Sequence, residues 1–233
     1  MSKPLYHVPI LGYHRVGQFR ADHVPTVSPE TFERQLAFLA RHRYRVVNLD
    51  EAAAGLEGDR ALRHAVVLTF DDGYEETSTI AWPLLKRFGF PATVFITPQE
   101  VGLPGFSTWE QVVEMSRDGM VIGSHTLHHA YLPEVSPERL PEEIAGSKEI
   151  IEQRIGQPVR YFSYPIGGFT PQILEIVRQA GYVAACTTNR FALDGGRFAL
   201  RRLKVTERDG HPVMFWAKVS GYYDAFRQLK QPH

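Results

Sequence analysis

Short, unbroken apolar runs recur along this chain, and each is followed by a stretch with helical spacing. The clearest run is residues 65–70, Ala-Val-Val-Leu-Thr-Phe. A strand that is apolar on both faces must be covered on both, which points to a parallel sheet with helical crossovers. Comparable strands are expected at residues 8–13, 44–49, 92–96, 121–123, 161–164, 182–186 and 200–205. Helices are expected at 29–43, 50–56, 75–88, 109–118, 137–155, 171–180 and 212–229. Ser28 before Pro29 and Ser136 before Pro137 read as helix starts, and Pro83 as a kink. About seven strand–helix units in one chain predict an α/β barrel rather than an open sheet. No repeat or Gly/Ser-rich linker divides the 233 residues, so residues 1–233 are expected to form one domain.

Composition narrows the function. Lys plus Arg is 26 and Asp plus Glu is 26, so the formal net charge is zero and nothing favours a nucleic-acid partner. One cysteine, Cys186, excludes an internal disulfide and any cysteine-rich metal site. The first apolar stretch is broken by Pro4, His7 and Pro9, too short for a signal-peptide core, and no other run approaches a membrane span. As the sequence stands it predicts a cytoplasmic protein, or an extracytoplasmic one if a leader has been removed.

In parallel α/β folds the chemistry gathers at the carboxyl ends of strands, which ranks the polar clusters. Asp71-Asp72-Gly73 follows the 65–70 strand. Two adjacent carboxylates repel unless a cation neutralises one, although an aspartate here also suits a helix cap. His125, His128 and His129 follow the 121–123 strand. The 125/129 spacing brings two imidazoles to one metal, with 125/128 as an alternative pair and a polar surface turn as the plain reading. Asp, His and His make a three-ligand site with a position open for water. The two aspartates can then divide the labour: Asp72 binds metal and Asp71 takes a proton. Tyr164-Pro165-Ile166-Gly167-Gly168 ends another strand and offers backbone N–H groups to an oxyanion, though a Pro-Gly turn there is ordinary. His14 ends the first strand. Trp82, Trp109, Tyr131, Tyr164 and Phe169 lie near these motifs and are expected to be mostly core.

At these residues the chain resembles the polysaccharide deacetylases, the NodB-homology or carbohydrate esterase family 4 proteins. Thr-Phe-Asp-Asp-Gly-Tyr (69–74) resembles their first motif, His-Thr-Leu-His-His-Ala-Tyr-Leu (125–132) their second and Phe-Ser-Tyr-Pro-Ile-Gly (162–167) their third. The resemblance implies a distorted (β/α)7 barrel and a hydrolase that removes N-acetyl groups from an amino-sugar polysaccharide or glycoconjugate. Metal-bound water attacks the acetyl carbonyl, with Asp71 as base. Asp72, His125 and His129 match the ligands of one divalent ion, zinc first, with cobalt, nickel or iron suited to the same donors. Pro165 and Ile166, beside Tyr164, match the oxyanion and substrate segment. Two departures stand out: Ser163 replaces an arginine that orients the base, and Leu200-Arg201-Arg202-Leu203 lacks a general-acid histidine. Both resemble the circularly permuted poly-N-acetylglucosamine deacetylases, in which the last barrel strand comes first. His14 then matches the general acid, and Arg201 or Arg202 is a candidate tether for Asp71. The partner implied is an acetylated amino-sugar polymer or glycoconjugate. Two alternatives are a small cyclic amide as substrate, or a carbohydrate-binding barrel without catalysis.

Overall fold

The run Ala65–Phe70 is buried along its whole length, as a strand covered on both faces must be. A computed structural model describes residues 8–55, 62, 64–189 and 195–223. Its strands are β1 (Ile10–Tyr13), β2 (Arg15–Val16), β3 (Thr26–Val27), β4 (Arg45–Val46), β5 (Ala65–Phe70), β6 (Thr93–Ile96), β7 (Val121–Ser124), β8 (Tyr161–Ser163), β9 (Ala184–Thr187) and β10 (Leu200–Lys204). Strands β5 to β10 pair in sequence order, all parallel, and β1 closes the ring between β10 and β5. This is the expected (β/α)7 barrel. A closed ring keeps its cyclic order wherever the chain enters it, so permutation moves the termini and leaves each strand's neighbours unchanged. Strand β4 is a splint on the amino-terminal half of β5, and β2 and β3 form a separate parallel pair.

Period-two alternation sorts each strand into two faces. Leu11, Leu68, Val94, Ile122, Phe162 and Ala185 face outward into one large core with the helices. Ile10, Val67, Phe95, Tyr161, Ala184, Cys186 and Leu200 form a second core inside the ring. Helix α1 (Pro29–Arg41) lays Phe32, Leu36 and Leu39 on the outer core. Helix α2 (Leu49–Gly55) adds Leu49, Ala52 and Ala53 to the inner core. Around the ring follow α3 (Trp82–Phe88), α4 (Trp109–Arg117), α5 (Ser147–Ile155), α6 (Pro171–Gln179) and α7 (Pro212–Val219). Inside, Gly123 is needed because a Cβ there would meet the Phe95 ring at 2.5 Å. Among the described residues no helix is long and apolar enough to cross a membrane.

Four elements differ from expectation. The strand expected at 44–49 shrinks to β4, because Leu49 already opens α2. The helix expected over 75–88 is interrupted by a π-helical turn, Thr77–Ala81, which hands over to α3, and Pro83, read as a kink, follows that turn directly. The helix expected over 137–155 becomes a turn at 137–139 and then a π-helical turn, Glu142–Gly146, before α5. The helix expected over 212–229 ends at Val219, just before Gly221 turns left-handed (φ 77°). Its part beyond 223 and residue 56 of the second expected helix lie outside the described residues, as do residues 1–7.

Ser28 caps α1, accepting from Thr31 N at 3.3 Å. Glu207 reinforces the cap, accepting from Ser28 N (2.8 Å), Ser28 Oγ (3.0 Å) and Thr31 Oγ1 (2.7 Å). Burial acts to raise the Glu207 pKa, but these donors outweigh it and the net shift is downward. Its stabilisation is therefore present above the unfolded value of about 4.3 and fades as pH falls through the folded one. Glu207→Gln is expected to cost about 1 kcal/mol at pH 7. In urea melts the gap from the parent should hold down to about pH 4 and narrow below it.

Candidate active site

The same alternation that fills the ring builds the site at its carboxyl end. Above the inner core the next inward positions are Gly12, Thr69, Ser163 and Arg202, and above these come His14, Asp71 and His125. Asp72 is out of phase with Asp71. Its left-handed backbone (φ 72°), followed by Gly73 (φ 73°), turns its carboxylate back beside the others. A Cβ on Gly73 would strike Ile96 at 2.8 Å.

Asp72, His125 and His129 each offer a donor atom, and the three lie within 4.8 Å of one another. Asp72 Oδ1 is 3.3 Å from His129 Nε2 and 3.5 Å from His125 Nε2. It is buried, yet no well-aligned hydrogen bond reaches it. His125 Nδ1 lies 2.6 Å from the Ser163 carbonyl. A carbonyl only accepts, so Nδ1 carries the proton and Nε2 presents a lone pair. Burial lowers the His125 pKa and keeps that ring neutral. At His129 the close Asp72 carboxylate, 3.3 Å away, outweighs burial and raises the pKa. Burial opposes ionisation of Asp72, but the neighbouring His129 pulls its pKa down. An anion with an orphaned oxygen, facing two imidazole nitrogens, fits a divalent cation. His128, the alternative ligand, turns away to Glu143 at 2.8 Å.

Asp71 takes no part in that group. Arg202 grips it through two bonds, Nη1 to Oδ1 (2.7 Å) and Nη2 to Oδ2 (2.6 Å). The same guanidinium donates to Ser163 Oγ (2.8 Å) and Thr69 Oγ1 (3.2 Å). So Arg202 is the tether, and Ser163 is the small residue that makes room for it. Burial alone would raise the Asp71 pKa; the charge and hydrogen bonds of Arg202 hold it far below the ordinary carboxylate range. His14 Nε2 stands 4.0 Å from Asp71 Oδ2. Burial lowers the His14 pKa against the pull of Asp71 and Asp72, so the resting ring is neutral near pH 7.

The 164–168 segment divides. Tyr164 is buried, donates its hydroxyl to Phe198 O (3.0 Å) and its N–H to Cys186 O (3.0 Å). Pro165 is buried beside it. Ile166 is 74% exposed with φ 59°, a strained setting for a β-branched residue. Thr187 Oγ1 to Gly167 O (2.8 Å) and Thr188 Oγ1 to Ile166 O (3.3 Å) clamp the turn. Tyr131 lies over Gly168, where a Cβ would meet its ring at 2.1 Å. Trp82 is buried, and Trp109 and Phe169 pack on the outer core as expected.

Sequence reasoning missed two neighbours of Asp72. Burial and the Asp72 charge raise the pKa of the Tyr74 phenol, and the Arg15 guanidinium lies 4.4 Å over its ring. Glu100, half-buried beyond β6, has its pKa raised by burial against the pull of His129. The strand-end rule that ranked the other clusters also applied to Glu100.

A family model described as polysaccharide deacetylase matches residues 59–185. That stretch holds Asp71, Asp72, His125, His129 and the 164–166 turn, while His14 and Arg202 lie outside it. The chain is 32% identical over 223 residues to a Bacillus subtilis (strain 168) protein named as a polysaccharide deacetylase, YxkH, covering 94% of this chain and 77% of that one. It is 30% identical over 139 residues to the poly-beta-1,6-N-acetyl-D-glucosamine N-deacetylase of Escherichia coli (strain K12), covering 52% of this chain and 21% of that protein. Among solved structures it matches Streptococcus pyogenes deacetylase PplD in complex with acetate, with TM-score 0.79 and 25% identity, over 97% of this chain and 98% of that one.

Proposed function

Because this chain belongs to the polysaccharide deacetylase family, we propose that it is a metal-dependent hydrolase removing N-acetyl groups from an amino-sugar polysaccharide or glycoconjugate. The observation that carries this reading is the convergence of Asp72, His125 and His129 beside the separate Asp71–His14 pair. Similarity to the Escherichia coli enzyme favours poly-N-acetylglucosamine as the substrate class. A divalent ion held by the three ligands, zinc first, would polarise the acetyl carbonyl and acidify a water.

The chain's own groups then move the protons. Asp71, ionised at rest near neutral pH and fixed by Arg202, takes the proton of the attacking water. The backbone N–H of Ile166 faces the carbonyl oxygen as it gains charge, and the strain at that residue pre-sets the donor. His14 is neutral at rest; standing 4.0 Å from Asp71, it takes over the proton that Asp71 received from water and delivers it to the sugar nitrogen as the C–N bond breaks, which returns both groups to their starting states. The products are acetate and a free amine. Burial makes His14 a stronger acid once charged, which suits donation to a poor leaving group.

The test is acetate release from a panel of N-acetylglucosamine oligomers, using protein stripped of metal and then given zinc, cobalt or nickel. Release that returns with metal supports the reading. Tight metal binding without release from any oligomer would favour a small amide as substrate. Absence of metal binding would remove the basis of the assignment.

A further inference from the structure

The loop that carries both histidine ligands is conformationally costly. Thr126 (φ 67°) and His129 (φ 56°) are both left-handed without being glycine. Something outside the loop must hold them there. Glu143 is 1% exposed, yet it is a carboxylate. Its Oε2 accepts from Leu127 N and His128 N, both at 3.1 Å, and its Oε1 lies 2.8 Å from His128 Nδ1. Its main-chain oxygen accepts again from Leu127 N at 3.1 Å. Arg139 Nη2, one turn earlier, is 3.5 Å from Oε1. A buried carboxylate satisfied almost wholly by one loop is built to fix that loop.

The π-helical turn Glu142–Gly146 puts it there. A π turn inserts an extra residue and rotates the side chains that follow, a device often found at functional sites. The carbonyl it frees at Ile144 is met by Tyr182 Oη and Ser147 Oγ, both at 2.9 Å. From the opposite side, Thr97 Oγ1 donates to His125 O at 3.3 Å.

We propose that Glu143 is a positioning residue for the metal ligands: it grips the backbone at 127–128 and the His128 ring, so that His125 and His129 face Asp72. The inference rests on the metal-site reading above. It also assigns His128 to the clamp rather than to the ion.

Cobalt(II) titration of apoprotein tests it, read as affinity by chelator competition and as the visible absorption of the bound ion. Glu143→Ala should weaken cobalt binding about 10- to 100-fold and alter the bands. Glu143→Gln keeps one acceptor oxygen and should lie between that variant and the parent; it also serves if Glu143→Ala does not fold. A Glu143→Gln protein that melts at a lower temperature, yet binds cobalt with the parent's affinity and spectrum, would make Glu143 a plain helix brace and overturn the proposal. A parent protein that takes up no cobalt would overturn the metal-site reading itself.

Discussion

Asp71→Asn is expected to lower kcat for acetate release by about 10²- to 10⁴-fold while the protein still binds metal. His125→Ala should lose metal and activity together. The contrast follows from geometry. His125 Nε2 belongs to the group of donors that lie within 4.8 Å of one another, and Asp71 does not. An amide at residue 71 keeps the shape of the carboxylate but cannot take a proton from water. It also turns an N–H towards one N–H of Arg202, so some stability is lost as well. Activity must therefore be compared on folded protein with metal content measured. Zinc stoichiometry beside single-turnover acetate release makes that comparison. Equal metal loss in the two variants would defeat the division of labour between the aspartates.

The ring and its paired aspartates were readable because they rest on local rules. Continuous apolar runs marked the strands, and Asp71-Asp72-Gly73 fell directly after the best of them. The tether was harder to read for a physical reason. In Leu200-Arg201-Arg202-Leu203 each phase of the alternation puts one leucine and one arginine inward, so pattern alone does not choose between them. Pairing chooses: Ile10 sits opposite Arg202, and both share the phase that fills the ring. Ser163 was the available clue, a small polar residue where the family pattern has an arginine. The π-helical turn behind Glu143 leaves no periodic mark, since one extra residue looks like a shift in helix phase. Tyr164 was singled out as a binding residue, but tertiary packing commits both its hydroxyl and its N–H to the protein.

Arg202→Met should be among the most destabilising single changes in this chain, at about 3–5 kcal/mol, because it leaves a buried carboxylate without its cation. Asp71 and Arg202 are both nearly inaccessible, and the nearest other cation-forming group, His14, is neutral at rest. The double variant Asp71→Asn with Arg202→Met removes both charges. It should recover much of the loss, giving a strongly non-additive cycle in urea unfolding. The pH dependence gives the sign. In the parent, Asp71 has a folded pKa far below its unfolded value of about 3.9, so its pairing stabilises the fold above that value and is lost only in acid. Without Arg202 burial dominates and the carboxyl's folded pKa rises above the unfolded one. The variant then gains stability relative to the parent as pH falls from 7 to 5, where Asp71 can take up a proton. A gap that stays constant across that range would mean Asp71 finds another cation, and the guanidinium would be packing rather than charge. The tether thus bears on both the fold and the proposed chemistry: the arginine that makes a buried carboxylate tolerable also keeps it ionised, as the base of the proposed mechanism has to be.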